Sequence, residues 1–405
     1  LHSTSRRQRQ MCIRDRAMIA TSQRFISYEL GKGNLHKLKD VFCTTLTIHI
    51  AIAFIIVVLS EVIGVWFLNT KLNIPSDRMM AANWTLQLSI FVFAVNVISV
   101  PYNASIVAHE KMSAFAYISI FEVSLKLAIA YLLLFISYDK LIVYSILVFC
   151  VALLLRSLYC FYCKRHFEEC HYTFSFNIEQ FREMFAFAGW SLVGNLGFSF
   201  KDQLSNILLN LFFGTVVNAA RGISVQVGSL INSFSANFMM AMNPQITKSY
   251  AVGDLYRSKE LVYAGCRFSF YLLAVISLPI MINITYILNL WLVEVPQYTD
   301  IFLILTIVCN LLYAISSPLT TAMQATGRIK WFQVIICIVM LTELPIAYLL
   351  LSIGYPPYSV LYASLFVTLL GVLIRIVLIS RILPIYEIRY LSLIHISEPT
   401  RRSYI

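Results

Sequence analysis

Ten long apolar stretches dominate this chain, and short polar links separate them. A helix of about 20 apolar residues is long enough to cross the hydrocarbon core of a bilayer. The pattern therefore predicts an all-α polytopic membrane protein. The predicted spans are residues 42–68, 82–108, 113–136, 141–163, 184–213, 216–242, 261–288, 297–323, 329–353 and 357–380.

The links between the spans alternate in lysine and arginine content. Membrane proteins keep these residues on the cytoplasmic side, so the rich links are assigned to the inside and both chain ends lie there too. The inside links carry thirteen such residues, namely Lys32, Lys37, Lys39, Lys111, Lys164, Arg165, Arg182, Lys248, Arg257, Lys259, Arg328, Lys330 and Arg381. The outside links carry three, Lys71, Arg78 and Lys140.

Composition adds little to this topology, apart from the two chain ends. Hydrophobic residues make up 59% of the chain and charged residues 13%, which leaves no room for a sizeable soluble domain. Residues 1–16 and about 391–405 resemble translated sequencing-adapter read-through, so we expect both to be artefactual tails. Without them the formal charge falls from +11 to +6, because seven basic and two acidic residues are discounted. The remaining charge follows the topology, and we expect no nucleic-acid partner.

Two segments recur in the second half of the chain. Residues 33–40 align with 253–260, and residues 101–111 align with 318–328. Both matches lie in inside links and an even number of spans separates them, which predicts a parallel repeat like that of transporters. The predicted organisation is an N-terminal lobe at 17–163, truncated to four spans, an interfacial link at 164–183 and a six-span C-terminal lobe at 184–390.

Several short motifs carry a family resemblance. They are Gly31-Lys32-Gly33-Asn34-Leu35, Gly253-Asp254-Leu255, Val100-Pro101-Tyr102-Asn103-Ala104, the run from Asn206 to Gly214 followed by Asn218-Ala219-Ala220-Arg221-Gly222, and Asn243-Pro244-Gln245-Ile246. With these motifs the chain resembles polysaccharide-biosynthesis exporters. These are the Wzx-type O-antigen flippases of the multidrug/oligosaccharidyl-lipid/polysaccharide exporter superfamily, which is MATE-like in fold.

The resemblance implies a two-lobe helix bundle around a central cavity, with about ten helices present of twelve or more. It implies that the protein flips undecaprenyl-pyrophosphate-linked oligosaccharide across the bacterial inner membrane by alternating access. The expected partners are this lipid-linked substrate, membrane lipids, and the glycan polymerase and glycosyltransferases of the same pathway. Because two helices of the pattern are absent, the chain is expected to be a fragment.

Three cations lie inside predicted spans and are the candidate contacts for a pyrophosphate. A charge at membrane depth costs about 2.5–3.5 kcal/mol, so such residues usually face a cavity or a partner. Lys126 lies near a span centre, while Lys201 and Arg221 lie on neighbouring spans joined by a hairpin at Gly214. The first hypothesis is an anion path. The alternative is that each cation pairs with a nearby carboxylate, such as Glu122 for Lys126, and only fixes helix packing.

Other polar residues of these spans complete the candidate site. Asp202, Asn206, Asn210 and Asn218 are expected either to contact sugar hydroxyls or to bond across helices. Glu343 and Glu122 are candidates for ion coupling. Pro101 and Pro318 occupy matched positions in the repeat and are proposed as hinges, with static kinks as the alternative.

Metal binding and catalysis are not expected. Cys160, Cys163, His166, Cys170 and His171 have a zinc-like spacing, but they straddle a span end and a link, so no metal site is predicted. The chain contains no Walker loop, HExxH motif or Rossmann glycine pattern, and we expect neither cofactor nor enzyme activity. A glycosyltransferase or polymerase would need a large extramembrane loop. The alternative function is a cation-coupled drug or metabolite antiporter of the same fold.

Overall fold

The computed structural model describes residues 20–70, 75–136, 138–173 and 177–381. These residues form helices and connecting turns, with no strand among them. Both proposed adapter-derived tails lie outside the described residues. The helices are α1 (20–32), α2 (Leu35–Thr70), α3 (Met79–Ala108), α4 (Met112–Phe135), α5 (Lys140–His166), α6 and α7 (together Ile178–Val252), α8 (Leu255–Ile282), α9 (Ile284–Trp291), α10 (Thr299–Ala325), α11 (Lys330–Leu341), α12 (Glu343–Ser352) and α13 (Ser359–Ser380).

Helices α6 and α7 form a hairpin that reverses at Gly214. This residue has a φ of 76° and a ψ of −163°, a conformation that glycine adopts without a steric penalty. The reversal is shown by Arg221 and Asp202, whose side chains are 3.4 Å apart. In one straight helix these residues would be about 28 Å apart, at a rise of about 1.5 Å per residue.

The described residues contain nine helical segments long and apolar enough to cross a membrane, and one of these is the α6–α7 hairpin. Counting its two arms separately gives ten, which confirms the predicted all-α polytopic class. Some predicted bounds were wrong. Helix α6 begins at Ile178, within the predicted interfacial link, and α2 begins at Leu35, seven residues before the predicted span.

Three spans are interrupted rather than straight. In α2 a π-helical turn occupies Ser60–Val65. The predicted span 261–288 is split at Asn283 into α8 and α9, and the span 329–353 is split at Thr342 into α11 and α12. Pro345 contributes to the second break because it has no N–H to donate to the carbonyl of Leu341.

The chain divides into two compact units, one ending at Ala188 and the other starting at Gly189. In unit 1, α3 packs against both α2 and α5, and Phe42 meets Tyr102 edge-on with 5.3 Å between ring centroids. Helix α4 is the exception, since Ile129 is its one fully buried residue. In unit 2, α10 packs against α8 and α13 around an apolar core that includes Phe302 and Leu273.

The repeated segments adopt matching local structures. Gly33 and Gly253 both have positive φ angles, and the next residue in each case caps a helix. The Asn34 side chain accepts a hydrogen bond from Lys37 N, as the Asp254 side chain does from Arg257 N. Helices α3 and α10 both end seven residues after their proline, and Glu110 and Gly327, two residues further on, both have positive φ. This agreement supports the predicted repeat at the level of these segments.

Candidate functional site

The α6–α7 hairpin positions most of the polar residues singled out from the sequence. On α6, Lys201, Ser205 and Leu209 recur every four residues and are buried, so they form the face that packs inward in unit 2. Asp202, one residue later in the chain, lies on an adjacent stripe and is partly exposed. One helix therefore carries a buried polar face beside an accessible one.

Lys201 is locked in a buried network. Its Nζ lies 2.9 Å from Glu343 Oε2, and the two side chains are 8% and 1% exposed. Ser364 Oγ donates to Glu343 Oε2 at 2.8 Å and accepts from Lys201 Nζ at 3.3 Å. Ser205 Oγ donates to Glu343 Oε1 at 3.1 Å. Both carboxylate oxygens are thus satisfied by α6 and α13.

An ion pair and hydrogen bonds compensate the burial of the Glu343 carboxylate. Glu343 is the first residue of α12 and follows the break at Thr342. Thr342, at the break, donates its N–H to Ile338 O and Val339 O at 3.2 Å each. The carboxylate is stabilised by one cation and two hydroxyl groups.

Arg221 on α7 is held more loosely. Its Nη2 lies 3.4 Å from Asp202 Oδ1 and its Nη1 lies 3.5 Å from Thr306 Oγ1. Its Nε is buried without a hydrogen-bond partner among the described residues. Asp202 is 29% exposed whereas Arg221 is 6% exposed. This pair is consequently longer and more open than that of Lys201.

Close backbone packing brings α10 to Arg221. Gly228 on α7 is buried, and a Cβ atom there would lie 2.6 Å from Thr306 Cγ2. Asn310 Nδ2 donates to Gly228 O at 2.9 Å. Glycine at this position lets α10 approach closely enough for Thr306 to reach the guanidinium.

The predicted asparagines remain accessible. Asn206 and Asn218 are half-buried and Asn210 is exposed. Asp202, Asn206 and Asn210 follow one another at four-residue spacing, so they form a continuous polar stripe along α6. The side chains of this stripe can accept hydrogen bonds from a hydroxylated ligand, and the two amides can also donate.

In unit 1, Lys126 forms an ion pair with Glu122 one turn earlier on α4. The Nζ–Oε1 distance is 2.5 Å, and the side chains are 56% and 33% exposed. This ion pair is the one that the spacing of four residues predicted as the alternative to an anion path. It leaves the lysine side chain accessible. Of the three predicted cations, Lys126 is the most accessible.

Sequence reasoning missed one polar contact in unit 1. Glu61 lies in the π-helical turn of α2, and its Oε2 accepts a hydrogen bond from Gln87 Nε2 on α3 at 2.7 Å. Glu61 is not among the candidate site residues named from the sequence. A π-helical turn is common at functional sites, and its detection needs the backbone, so the sequence carried no signal for it.

The two predicted hinge prolines both lie inside continuous helices. Pro101 is in α3 and Pro318 is in α10, and both are buried. A Cβ atom at Gly265 would lie 3.2 Å from Pro318 Cγ, so Pro318 packs tightly on α8. Because a proline leaves the carbonyl four residues earlier without its helical donor, each helix has a weak point there.

The cysteine and histidine cluster has other contacts. Cys163 and Cys170 are buried free thiols. A hydrogen bond with Cys163 and burial raise the pKa of Cys170, which disfavours the thiolate that zinc requires. His166 Nδ1 contacts Tyr162 O and His171 Nδ1 contacts Glu168 O. Among the described residues there is no group of three or more ligands that could hold a metal.

The structure thus brings together four of the predicted site residues in unit 2, Lys201, Asp202, Arg221 and Glu343, as two ion pairs. Lys126 and Glu122 form a third pair in unit 1. Each predicted cation has a carboxylate partner. The pairs differ in burial, and this difference separates the roles that they can have.

Comparisons with known proteins agree with this architecture. The MatE family model matches residues 191–349, which include most of the α6–α7 hairpin and Glu343. The MATE transporter ClbM in complex with Rb⁺ superposes with a TM-score of 0.77 at 13% identity, covering 96% of this chain and 87% of that one. The Vibrio cholerae MATE transporter VcmN in its bent form gives 0.79 at 15% identity, covering 94% and 87%.

A multidrug resistance MATE family transporter of the MOP superfamily, in an outward-facing conformation, gives a TM-score of 0.77 at 12% identity and covers 96% and 86%. No curated protein matches the chain. The chain therefore has the fold of MATE transporters, and it is a multi-pass membrane protein.

Proposed function

We propose that this chain, whose fold and family match support membership of the MOP exporter superfamily, is a transporter that flips lipid-linked oligosaccharide across a membrane. Transporters rather than enzymes make up the MATE family, and the fold supports membrane transport. The finer assignment concerns the substrate, which we take to be an undecaprenyl-pyrophosphate-linked repeat unit of O-antigen, capsule or exopolysaccharide. The setting is the bacterial inner membrane, and the movement is alternating access.

One observation carries this proposal: Lys126 is a half-exposed cation near the middle of a span. A charged pair in contact with acyl chains would be costly, so the pair faces a hydrated surface. There Lys126 can exchange Glu122 for the pyrophosphate of the substrate, because ammonium groups bind phosphate as point charges. When no substrate is bound, Glu122 neutralises the charge of Lys126.

Polar residues of α6 and α7 supply the second part of the proposed substrate site. Arg221 is held by two long contacts, so its guanidinium can turn to a phosphate at small cost. Asp202, Asn206, Asn210 and Asn218 offer hydrogen bonds to sugar hydroxyls. Lys201 is held by a short ion pair to Glu343, which is 1% exposed, and by Ser364, so in this proposal it makes no direct contact with the substrate and keeps Glu343 charged.

Glu343 remains the coupling candidate in unit 2. A proton taken up by its carboxyl would weaken the attraction that holds Lys201, and the network with Ser205 and Ser364 would rearrange. Pro101 and Pro318 are the proposed hinges for the accompanying movement.

The second candidate is a cation-coupled drug or metabolite antiporter. Glu61 favours it, because this carboxylate has a neutral partner in Gln87 and no lysine or arginine partner among the residues that the structure describes. An acid without a counter-cation can bind a cationic drug or carry a proton. The two candidates therefore predict different sensitive residues.

The test is transport by the full-length protein in proteoliposomes, with lipid-linked oligosaccharide and a cationic dye offered separately. We expect Lys126→Ala to abolish oligosaccharide flipping and Leu127→Ala, a neighbouring exposed residue, to leave it intact. Surface glycan in a flippase-deficient strain should follow the same order. Dye efflux that depends on Glu61 but not on Lys126, with no flipping by the wild type, would establish the antiporter instead.

A further inference from the structure

An open cleft lies at the end of unit 1 that the charge pattern assigns to the outer side. Its volume is about 680 Å³. The lining includes Arg78, Tyr138, Asp139, Lys140 and Tyr144, together with two leucines. Ligand pockets fall in the range of about 300–1,000 Å³, so the cleft has the size of a small-molecule site.

Asp139 is the residue that organises the charged groups of the cleft. Arg78 ends the 3₁₀ turn that precedes α3, and Asp139 is the N-cap of α5. Asp139 Oδ1 accepts from Leu141 N at 2.9 Å, while Oδ2 lies 2.5 Å from Arg78 Nη1. One carboxylate thus joins the start of α5 to the start of α3. The donor and acceptor groups that face the cleft are held before any ligand arrives.

The two tyrosines of the cleft are not packed in the core of unit 1. Tyr138 is 83% exposed and Tyr144 is 47% exposed. A tyrosine ring offers an apolar face with a hydroxyl group at its edge. The cleft therefore combines two apolar rings, a fixed arginine–aspartate pair and the ammonium group of Lys140.

This combination matches a sugar. The C–H face of a pyranose ring stacks on an aromatic ring, while neighbouring hydroxyl groups need a donor and an acceptor at fixed positions, which Arg78 and Asp139 provide. Two cations and one anion leave a net positive charge, which favours a sugar that carries a carboxylate. An anionic phospholipid headgroup needs the cations, and tyrosines are common at the membrane interface, but such a headgroup makes no use of the carboxylate.

We propose that this cleft is a saccharide-binding site on the outer face of unit 1, with a preference for acidic sugars. The inference rests on the proposed function, because an exported glycan would meet this surface as it leaves. The site would hold the sugar part of the substrate, apart from the pyrophosphate contact at Lys126.

The test measures binding of two soluble probes to the full-length protein in nanodiscs, a disaccharide that contains glucuronic acid and its neutral analogue. We expect the acidic probe to bind more tightly. Replacing both tyrosines (Tyr138→Ala with Tyr144→Ala) should weaken binding of either probe about tenfold. Lys140→Gln should remove the preference for the acidic probe. Tyr117→Ala, a 75% exposed tyrosine on α4, is the matched control and should change nothing.

Equal binding by the double tyrosine variant and the wild type would overturn the proposal. So would binding of phosphatidylglycerol, tested in nanodiscs with and without this lipid, that competes with the acidic probe and depends on Lys140 but not on the tyrosines. Flipping is measured on the same preparations. A wild type that flips substrate but binds neither probe contradicts this site alone, whereas a wild type that binds the probes but does not flip contradicts the proposed function.

Discussion

The ion pairs of the two units use the same chemistry in opposite surroundings. In unit 1 the lysine and glutamate of the α4 pair, Lys126 and Glu122, are 56% and 33% exposed. In unit 2, Lys201 and Glu343 are 8% and 1% exposed, Ser364 bonds to both, and Ser205 bonds to Glu343. A buried pair is expensive to break, while an exposed pair exchanges partners readily. We infer that the first is available to a ligand and the second maintains the structure of its unit.

The largest effect on stability is expected for Lys201→Ala. The variant leaves Glu343 buried without a counter-charge, which costs about 3–5 kcal/mol of unfolding free energy. Thermal unfolding of the detergent-solubilised protein measures it. The double variant Lys201→Met with Glu343→Met is the control, since it removes both charges and should recover most of the loss. Equal destabilisation by the single and double variants would show that charge is not the reason.

A smaller loss is expected for Arg221→Ala. The variant removes contacts of 3.4 and 3.5 Å, and Asp202 is accessible enough to be hydrated afterwards. We expect a loss of about 1.5–3 kcal/mol, the range for removing hydrogen bonds to a charged group. The same unfolding assay applies, with Asn218→Ala on the same helix as the control. A loss as large as that of Lys201→Ala would mean that the two pairs are equally buried in solution.

Lys126→Ala should barely change stability. An exposed i,i+4 pair contributes about 0.3–0.5 kcal/mol, so the unfolding midpoint should stay close to that of the wild type. Flipping of lipid-linked oligosaccharide should nevertheless be lost. Glu122→Gln, which keeps the cation, should retain flipping. Loss of stability together with flipping would remove the distinction between the two units.

The hinge prolines are also expected to change stability only slightly. Pro101→Ala and Pro318→Ala each supply an N–H to a helix that is already continuous, so the unfolding free energy should change by less than about 1 kcal/mol. If these positions bend during transport, both variants flip substrate more slowly than the wild type. Unchanged rates in both would identify the prolines as static kinks.

Local patterns predicted most of the fold. The spans follow from apolar runs long enough to cross a bilayer, and the repeated loops follow from glycine at positive φ before a capping Asn34 or Asp254. The hairpin at Gly214 was also anticipated. The interruptions of the helices were not predicted, because the π-helical turn at Ser60–Val65 and the break at Thr342 depend on how these helices pack.

The sequence predicted which residues belong to the candidate site, but not all of the ion pairs that they form. The sequence showed that Lys126 could meet Glu122, since a spacing of four places both on one face of a helix. It could not show that Lys201 meets Glu343, because these residues lie on helices far apart in the chain. Nor could it rank the cations by accessibility, and the ranking places Lys126 ahead of Arg221 and Lys201.

The amino-acid sequence alone determined the membrane class, the number of spans and the presence of charges at membrane depth. These properties depend on the hydrophobicity of short windows of residues that are adjacent in the sequence. Tertiary structure decided which acid neutralises each cation and how much water each pair meets. Those outcomes depend on contacts between distant helices, where a close approach at Gly228 or a helix break before Glu343 fixes the partner.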